Sequence, residues 1–204
     1  MAFEWAASRQ AFGDAATWFV EMTARVDDRW DSPGLGEWSV RDLVGHTSRS
    51  LLTVETYLYQ PAESVDIDSA AGYVAATREI AAGPGVAERG RQAGAALGDD
   101  PPGDIARIAA RVLPLVGSCT GAEVVRTIAG GMRLSDYLPT RTFELVVHTC
   151  DLAAALGEPL DVPRTAAAQA LHLVASLAAD DQRAGPLLLA ATGRAALPEG
   201  FSVL

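Results

Sequence analysis

Glu144 and His148 are the two residues whose types and spacing suggest chemistry. They lie four positions apart in the segment RTFELVVHTCDLA, which begins at Arg141 and reads as a helix. Residues four apart on an α-helix differ in direction by only about 40°, so both side chains project from one face. A carboxylate and an imidazole that converge in this way need one further nitrogen ligand to hold a divalent metal ion.

The third ligand comes from a short list, because the chain contains 3 histidines, His46, His148 and His172. The pattern predicts that His46 lies on an earlier helix, and two helices that face each other across a bundle can bring such side chains together. Two histidines and one glutamate suit zinc and leave coordination positions open for water or substrate. His172 has no acidic or nucleophilic neighbour at helical spacing except distant Asp180, and we interpret it as structural.

Spacing alone leaves other interpretations open. Glutamate and histidine one turn apart also occur on solvated helix faces, and an isolated His46 fits a surface position or a hydrogen-bonded core position equally well. Cys150 lies two residues after His148 and therefore on another face of the helix, so we expect no ligand role for it. The chain has no Gly-x-Ser-x-Gly motif and no glycine-rich phosphate loop between a strand and a helix.

The composition is that of a soluble globular protein, with 204 residues, 49% hydrophobic and 21% charged. A net charge of −10 argues against non-specific binding to nucleic acid. The chain has no lysine, which excludes a Schiff base or a lysine nucleophile. No apolar run reaches the about 20 residues of a membrane span, and no signal sequence is visible, so we expect a cytoplasmic protein with reduced Cys119 and Cys150.

Apolar periodicity and breaker residues predict a mainly α fold, a helix bundle with a short β-hairpin and a small C-terminal extension. The capping-box pattern Ser39-Val-Arg-Asp42 predicts the start of the helix that carries His46. The predicted elements, in chain order, are a helix from 3 to about 29, a loop over 31–37, a helix from 39 to about 59, a helical region over 69–98 interrupted at Gly83-Pro84-Gly85, a helix over 102–116, a hairpin within 122–134, a helix from 135 to Gly157, a helix over 164–181 and a short element near the C-terminus.

Three segments of the chain share a pattern with a known family. The first is PGLGEWSVRDLVGH, over 33–46, and the second is LSDYLPTRTFELVVHTCDL, over 134–152. The third is TGRAALP, over 192–198. Together they resemble the mycothiol-dependent maleylpyruvate isomerase family, whose N-terminal domain is a DinB-like four-helix bundle. The resemblance spans most of the chain.

The resemblance implies a set of site residues and cofactors. It assigns His46, Glu144 and His148 as ligands of a divalent metal, with zinc expected. Arg141 and Asp151 lie on the same stripe, where an acid can orient a ligand imidazole and an arginine can hold a carboxylate. Mycothiol is the implied co-substrate.

The family's isomerases carry a further C-terminal α/β domain, for which the residues after Gly157 are too few, so maleylpyruvate isomerisation itself is not expected. We predict a metal-binding bundle over 1–158 and, over 159–204, a helix and tail packed on it. The leading hypothesis is thiol chemistry on a small electrophile, by isomerisation or S-transfer. The alternatives are a hydrolase with metal-activated water and a non-catalytic metal- or small-molecule-binding protein. The expected partners are a small-molecule thiol and an electrophilic substrate, with no nucleic acid and no membrane, and a homodimer stays open.

Overall fold

The computed structural model describes residues 4–83 and 85–204, and these residues form a mainly α-helical protein, as predicted. The helices are α1 (Trp5–Thr23), α2 (Val40–Leu58), α3 (Ala70–Ala82), α4 (Gly85–Ala95), α5 (Pro101–Gly117), α6 (Leu134–Leu156), α7 (Arg164–Asp180) and α8 (Ala184–Ala191). The strands are β1 (Pro33–Leu35), β2 (Trp38–Ser39), β3 (Val124–Thr127) and β4 (Gly130–Arg133), and a 3₁₀ turn spans Arg29–Asp31. The strands form two antiparallel pairs, β1 with β2 and β3 with β4.

Four of these helices form the bundle that positions the candidate site. Helices α5 and α6 both pack against α1 and α2, so the four enclose one apolar core. Phe12, Phe19, Leu51, Ile105 and Leu138 are fully buried there. Outside the bundle, α4 packs on α2, α7 packs on α1 and α6, and α3 contacts α6 and α7.

The start of α2 is fixed by the capping box that the sequence predicts. The backbone N–H of Asp42 donates to Ser39 Oγ (3.2 Å), and the backbone N–H of Ser39 donates to Asp42 Oδ2 (3.1 Å). A cap of this kind stabilises a helix by about 1 kcal/mol. Because the helix starts at Val40, His46 falls in its second turn.

Helices α2 and α4 approach each other so closely that their backbones touch. A Cβ atom added to Gly45 would lie 2.3 Å from the backbone nitrogen of Gly94. Only glycine permits this separation, because any side chain at position 45 would overlap the facing main chain. Arg41 ties the same two segments together, since its Nη1 donates to the carbonyl oxygen of Leu97 (3.0 Å).

The predicted first helix, 3 to about 29, is too long. Helix α1 ends at Thr23, and Asp27 adopts a left-handed conformation with φ of 54°, which a helix does not accommodate. Val26 is nevertheless fully buried, so the apolar pattern that suggested the longer helix reflects burial of a non-helical turn. Residue 3 lies outside the described residues.

The predicted loop over 31–37 is wrong in part, because it contains the 3₁₀ turn's last residue and β1, which pairs with β2. The β-bulge between Pro33 and Leu35 and the left-handed Gly36, with φ of 57°, let so short a segment fold back as a hairpin. The later predicted hairpin is confirmed as β3 and β4. The break between α3 and α4 falls where the sequence predicts it, although Pro84 itself lies outside the described residues.

Helix α6 ends as predicted, at Gly157 in the left-handed conformation with φ of 69°. The division of the chain into 1–158 and 159–204 stays a prediction. Among the described helices, none combines the length and the hydropathy that crossing a membrane requires.

Candidate metal centre

His46, Glu144 and His148 meet where α2 faces α6. One potential ligand atom from each residue lies within 4.8 Å of the others. The two imidazole rings are perpendicular, with centroids 4.9 Å apart. The one-turn spacing of Glu144 and His148 and the packing of α2 against α6 together produce this convergence.

His148 lies between two carboxylates of its own helix. Its Nδ1 is 3.0 Å from Asp151 Oδ2, and its Nε2 is 3.3 Å from Glu144 Oε2. When Nδ1 carries a proton and donates it to Asp151, the lone pair of the neutral ring is on Nε2, on the side of Glu144. Asp151 therefore selects the tautomer that a metal ion at the centre requires.

The charges at the centre are coupled. Burial alone would lower the pKa of His148, but hydrogen bonds to the Asp151 and Glu144 carboxylates raise it to about 9. Burial alone would raise the pKa of Glu144, but the hydrogen bond from His148 and the charge of Arg141 lower it to about 2. Glu144 is therefore anionic at neutral pH. Its negative charge stabilises the protonated form of His148 and would stabilise a metal ion in the same way.

His46 behaves differently, because Asp42, the carboxylate one turn before it on α2, is engaged in the capping box with Ser39. Burial, together with the nearby His148, lowers the pKa of His46 to about 4, so its imidazole is neutral at physiological pH. Its Nδ1 is buried and has no hydrogen-bond partner among the described residues. A buried nitrogen without a partner is costly, and a metal ion or a donor group would satisfy it.

Trp38 holds the His46 ring in place. The two rings are 4.5 Å apart, and the indole Nε1 donates to the carbonyl oxygen of Ala87 in α4 (3.0 Å). Gly90 makes room for the indole, because a Cβ atom at this position would lie only 2.4 Å from it. The imidazole of His46 is therefore packed from one side by a residue that α4 itself fixes.

Arg141 lies one turn before Glu144 and next to two tyrosines. Its guanidinium carbon is 5.6 Å from the Tyr73 ring centroid and 5.1 Å from that of Tyr137, distances at which a cation is attracted to the aromatic face. Its Nε donates to Thr140 Oγ1 (3.0 Å). No carboxylate among the described residues forms an ion pair with Arg141, although its charge acts on Glu144 one turn away.

The residues present fit a divalent metal ion. The donor set is one anionic carboxylate and two imidazoles, which is an established ligand combination for zinc with an open position. The Nδ1 of His46 is engaged in no hydrogen bond with a described residue. The Glu144 side chain keeps 33% of its surface exposed, so the centre is in contact with solvent.

Several other residues that the sequence brought into consideration lie outside this centre. Among the described residues, the cluster of potential ligands contains neither Cys150 nor His172. His172 lines a separate cavity of about 210 Å³ beside α7.

Sequence reasoning missed the surroundings of the ligands. It predicted neither the contact of Trp38 with His46 nor a role for Tyr73, whose ring faces the Arg141 guanidinium. It also missed Arg49, although its spacing of three residues from His46 places both on one side of α2. Tyr73 and the α4 residues carry no such signal, because only tertiary packing brings them to the centre.

Fold and site together define a mainly α bundle with a possible divalent-metal site of two histidines and one glutamate. The model of the mycothiol maleylpyruvate isomerase N-terminal domain matches residues 10–153, and the chain belongs to this family. The match includes the segments that carry His46, Glu144 and His148. No curated protein and no solved structure gives a significant match to the chain.

Proposed function

We propose that this protein is a divalent-metal-dependent enzyme of thiol chemistry that acts on a small electrophile by isomerisation or S-transfer. Zinc is the expected metal and mycothiol the expected thiol. The observation that carries the proposal is the convergence of His46, Glu144 and His148 within 4.8 Å on two helices of the bundle. Membership of the maleylpyruvate isomerase family supports the choice of thiol chemistry.

In this proposal three side chains hold the metal, and their neighbours prepare them. His46 would bind as a neutral imidazole, Glu144 would supply the negative charge, and His148 would bind in its neutral form. Asp151 keeps the His148 ring oriented through the hydrogen bond to Nδ1. When bound, a divalent metal lowers the pKa of a thiol and so provides a thiolate at neutral pH.

The protein's own thiols are poor candidates for the nucleophile. Burial raises the pKa of Cys150 above its ordinary value, and the charge of Asp151 raises it further. Burial and the charge of Glu123 raise the pKa of Cys119 in the same way. Both cysteines are therefore protonated at neutral pH, which supports an external small-molecule thiol.

Arg141 is suited to hold a carboxylate of the electrophile. The rings of Tyr73 and Tyr137 fix the guanidinium, and the Glu144 carboxylate lies one helical turn away. An arginine that is already positioned binds an oxyanion with a smaller loss of side-chain entropy. We expect it to orient the substrate beside the centre.

The first test is the metal content of protein purified without a metal-affinity tag. We expect near-stoichiometric zinc in the wild type and little metal in His46→Ala and His148→Ala. Cys150→Ala is the matched control on the same helix and should retain the metal. Absence of metal from the wild type, with no uptake on titration of several divalent ions, would overturn the proposal.

The second test separates the proposed chemistry from its alternatives. Zinc-loaded protein is assayed against activated alkenes and small electrophiles, with and without mycothiol. Turnover that requires the thiol supports the proposal, whereas equal turnover without thiol identifies a hydrolase with metal-activated water. Tight metal binding without turnover of either kind would favour a non-catalytic binding protein.

A further inference from the structure

A second cavity, of about 410 Å³, lies between α2, α4 and α5. Its size falls within the range of small-molecule sites. Arg49 projects into it from α2, and Arg89 and Gln92 line it from α4. Leu52 and Ile108 provide apolar wall, so the lining suits a short aliphatic molecule that carries an oxyanion.

The two arginines of this cavity are not neutralised by carboxylates. The guanidinium of Arg49 has no hydrogen bond or ion pair to a described residue, and Arg89 donates from Nη2 to the neutral carbonyl oxygen of Ile80 (3.2 Å). The carboxylate in the lining, Asp104, is engaged by the guanidinium of Arg107 and accepts from the backbone N–H of Gly98 (2.7 Å). Two guanidinium groups that line one cavity and form no ion pair with a described carboxylate favour an anionic ligand.

The cavity adjoins the candidate metal centre. Arg49 lies three residues after His46 on α2, a spacing that makes their side chains neighbours. On α4, Arg89 directly precedes Gly90. From the α4 side, Gly90 contacts Trp38, which in turn packs on His46. A ligand held by the two arginines therefore lies beside the centre.

We propose that Arg49 and Arg89 form an anion-binding subsite that takes the carboxylate or phosphate end of a small molecule whose other end reaches the metal centre. Gln92, whose Nε2 donates to Glu88 Oε1 (3.0 Å), forms part of the wall, and Leu52 and Ile108 provide the surface for the aliphatic part. The part of the proposal that concerns a reaction at the metal centre rests on the proposed function, whereas anion binding at the subsite requires only the two arginines. It is distinct from Arg141, which lies on α6.

The first experiment measures anion binding to the protein as purified. Isothermal titration with glutarate is compared with titration with glutaramide, its neutral analogue, and with inorganic phosphate. We expect the anions to bind and glutaramide to bind more weakly. Arg49→Gln and Arg89→Gln should each weaken glutarate binding by about fivefold. Both arginines lie at the surface of the cavity, and these changes should leave the fold intact.

Arg91→Gln is the matched control, because Arg91 lies on α4 but pairs with Glu88 (3.1 Å). It should bind glutarate like the wild type. No glutarate binding by the wild type would overturn the subsite, as would equal binding by wild type, Arg49→Gln and Arg89→Gln.

The second experiment asks whether the thiol or the electrophile carries the anion. Cobalt-loaded protein is titrated with 6-mercaptohexanoate and 6-mercaptohexanol, and the thiolate-to-cobalt absorption band is followed. Tighter binding of the carboxylate, lost in Arg49→Gln, assigns the anion to the thiol. Equal binding of both thiols, with glutarate binding retained, assigns it to the electrophile.

The two experiments fail separately. No absorption band with any thiol, while glutarate still binds through both arginines, would overturn the thiol chemistry and leave the subsite. A band with both thiols and no glutarate binding would overturn the subsite and leave the proposed function.

Discussion

Two stripes of side chains run side by side along α6, one apolar and buried, the other charged and partly exposed. Leu138, Leu145 and Leu152 repeat every seven residues and are fully buried in the bundle core. Glu144 and His148 lie on the neighbouring stripe, where their side chains keep 33% and 16% of their surface exposed. The leucines contribute burial of apolar surface, whereas the charged pair remains within reach of solvent.

This comparison teaches that one helix can separate stability from chemistry by a rotation of about 60–100° about its axis. The leucine stripe fixes the position of α6 against the bundle, and the charged stripe uses that position. The charged residues are satisfied mainly by each other, through the contacts of His148 with Glu144 and Asp151. Substitutions on the two stripes should therefore affect different measurements.

The largest expected effect is on the charged stripe. Glu144→Gln removes the negative charge at the centre, and we expect zinc affinity to fall by more than the about 10–100-fold that loss of an outer hydrogen-bond partner causes. The affinity is measured by competition with a chromogenic chelator. The urea midpoint of the metal-free protein should fall less than in Leu152→Ala, because only the contact with protonated His148 is lost. A larger fall would mean that the stripe is structural.

The next effect tests the leucine stripe. Leu152→Ala removes a fully buried side chain and should lower the free energy of unfolding by about 2–5 kcal/mol. Urea denaturation followed by circular dichroism measures this change. The folded fraction should still bind zinc stoichiometrically. Loss of zinc from the folded protein would show that the two stripes are not separable.

A smaller effect is expected at Asp151, which contacts the candidate ligand His148 but is not itself a candidate ligand. Asp151→Asn weakens the hydrogen bond that orients His148, and zinc affinity should fall by about 10–100-fold. Asp161→Asn, a change of the same type beyond α6, is the control and should have no effect. An unchanged affinity in Asp151→Asn would remove the orienting role of this carboxylate.

The smallest effect comes from the helix that supplies the other histidine. Ser39→Ala deletes the capping box of α2 and should lower the free energy of unfolding by about 1 kcal/mol. Ser39→Asp keeps an acceptor at the cap and should restore most of the stability. Zinc affinity should be similar in both variants, because His46 lies beyond the first turn. A fall in affinity with intact stability would show that the cap positions the ligand directly.

The predictable part of the molecule is the part encoded by local spacing. The start of α2 follows from Ser39 and Asp42, and the pairing of Glu144 with His148 follows from helical geometry. Bundle architecture then accounts for the arrival of His46 at the same place, as the sequence predicted.

The remaining features depend on contacts between distant segments. The end of α1 was mispredicted because Val26 is buried without being helical. The packing of Trp38 on His46 and the placement of Arg89 require α4 to dock on α2, and no periodicity in either segment encodes that docking. Local patterns thus predicted the candidate ligands but not the residues that surround them.

The contact between Gly45 and Gly94 bears on how sequence variation in this protein should be interpreted. In a saturation mutagenesis scan with metal retention as the readout, Gly45 and Gly90 should tolerate as few substitutions as His46 itself. Neither glycine has a side chain that touches a metal or a substrate. Strict invariance at these two positions would therefore reflect the close packing of α4 and Trp38 around the helix that carries His46. A survey that ranked residues by intolerance to substitution alone would wrongly count these two glycines among the reactive residues.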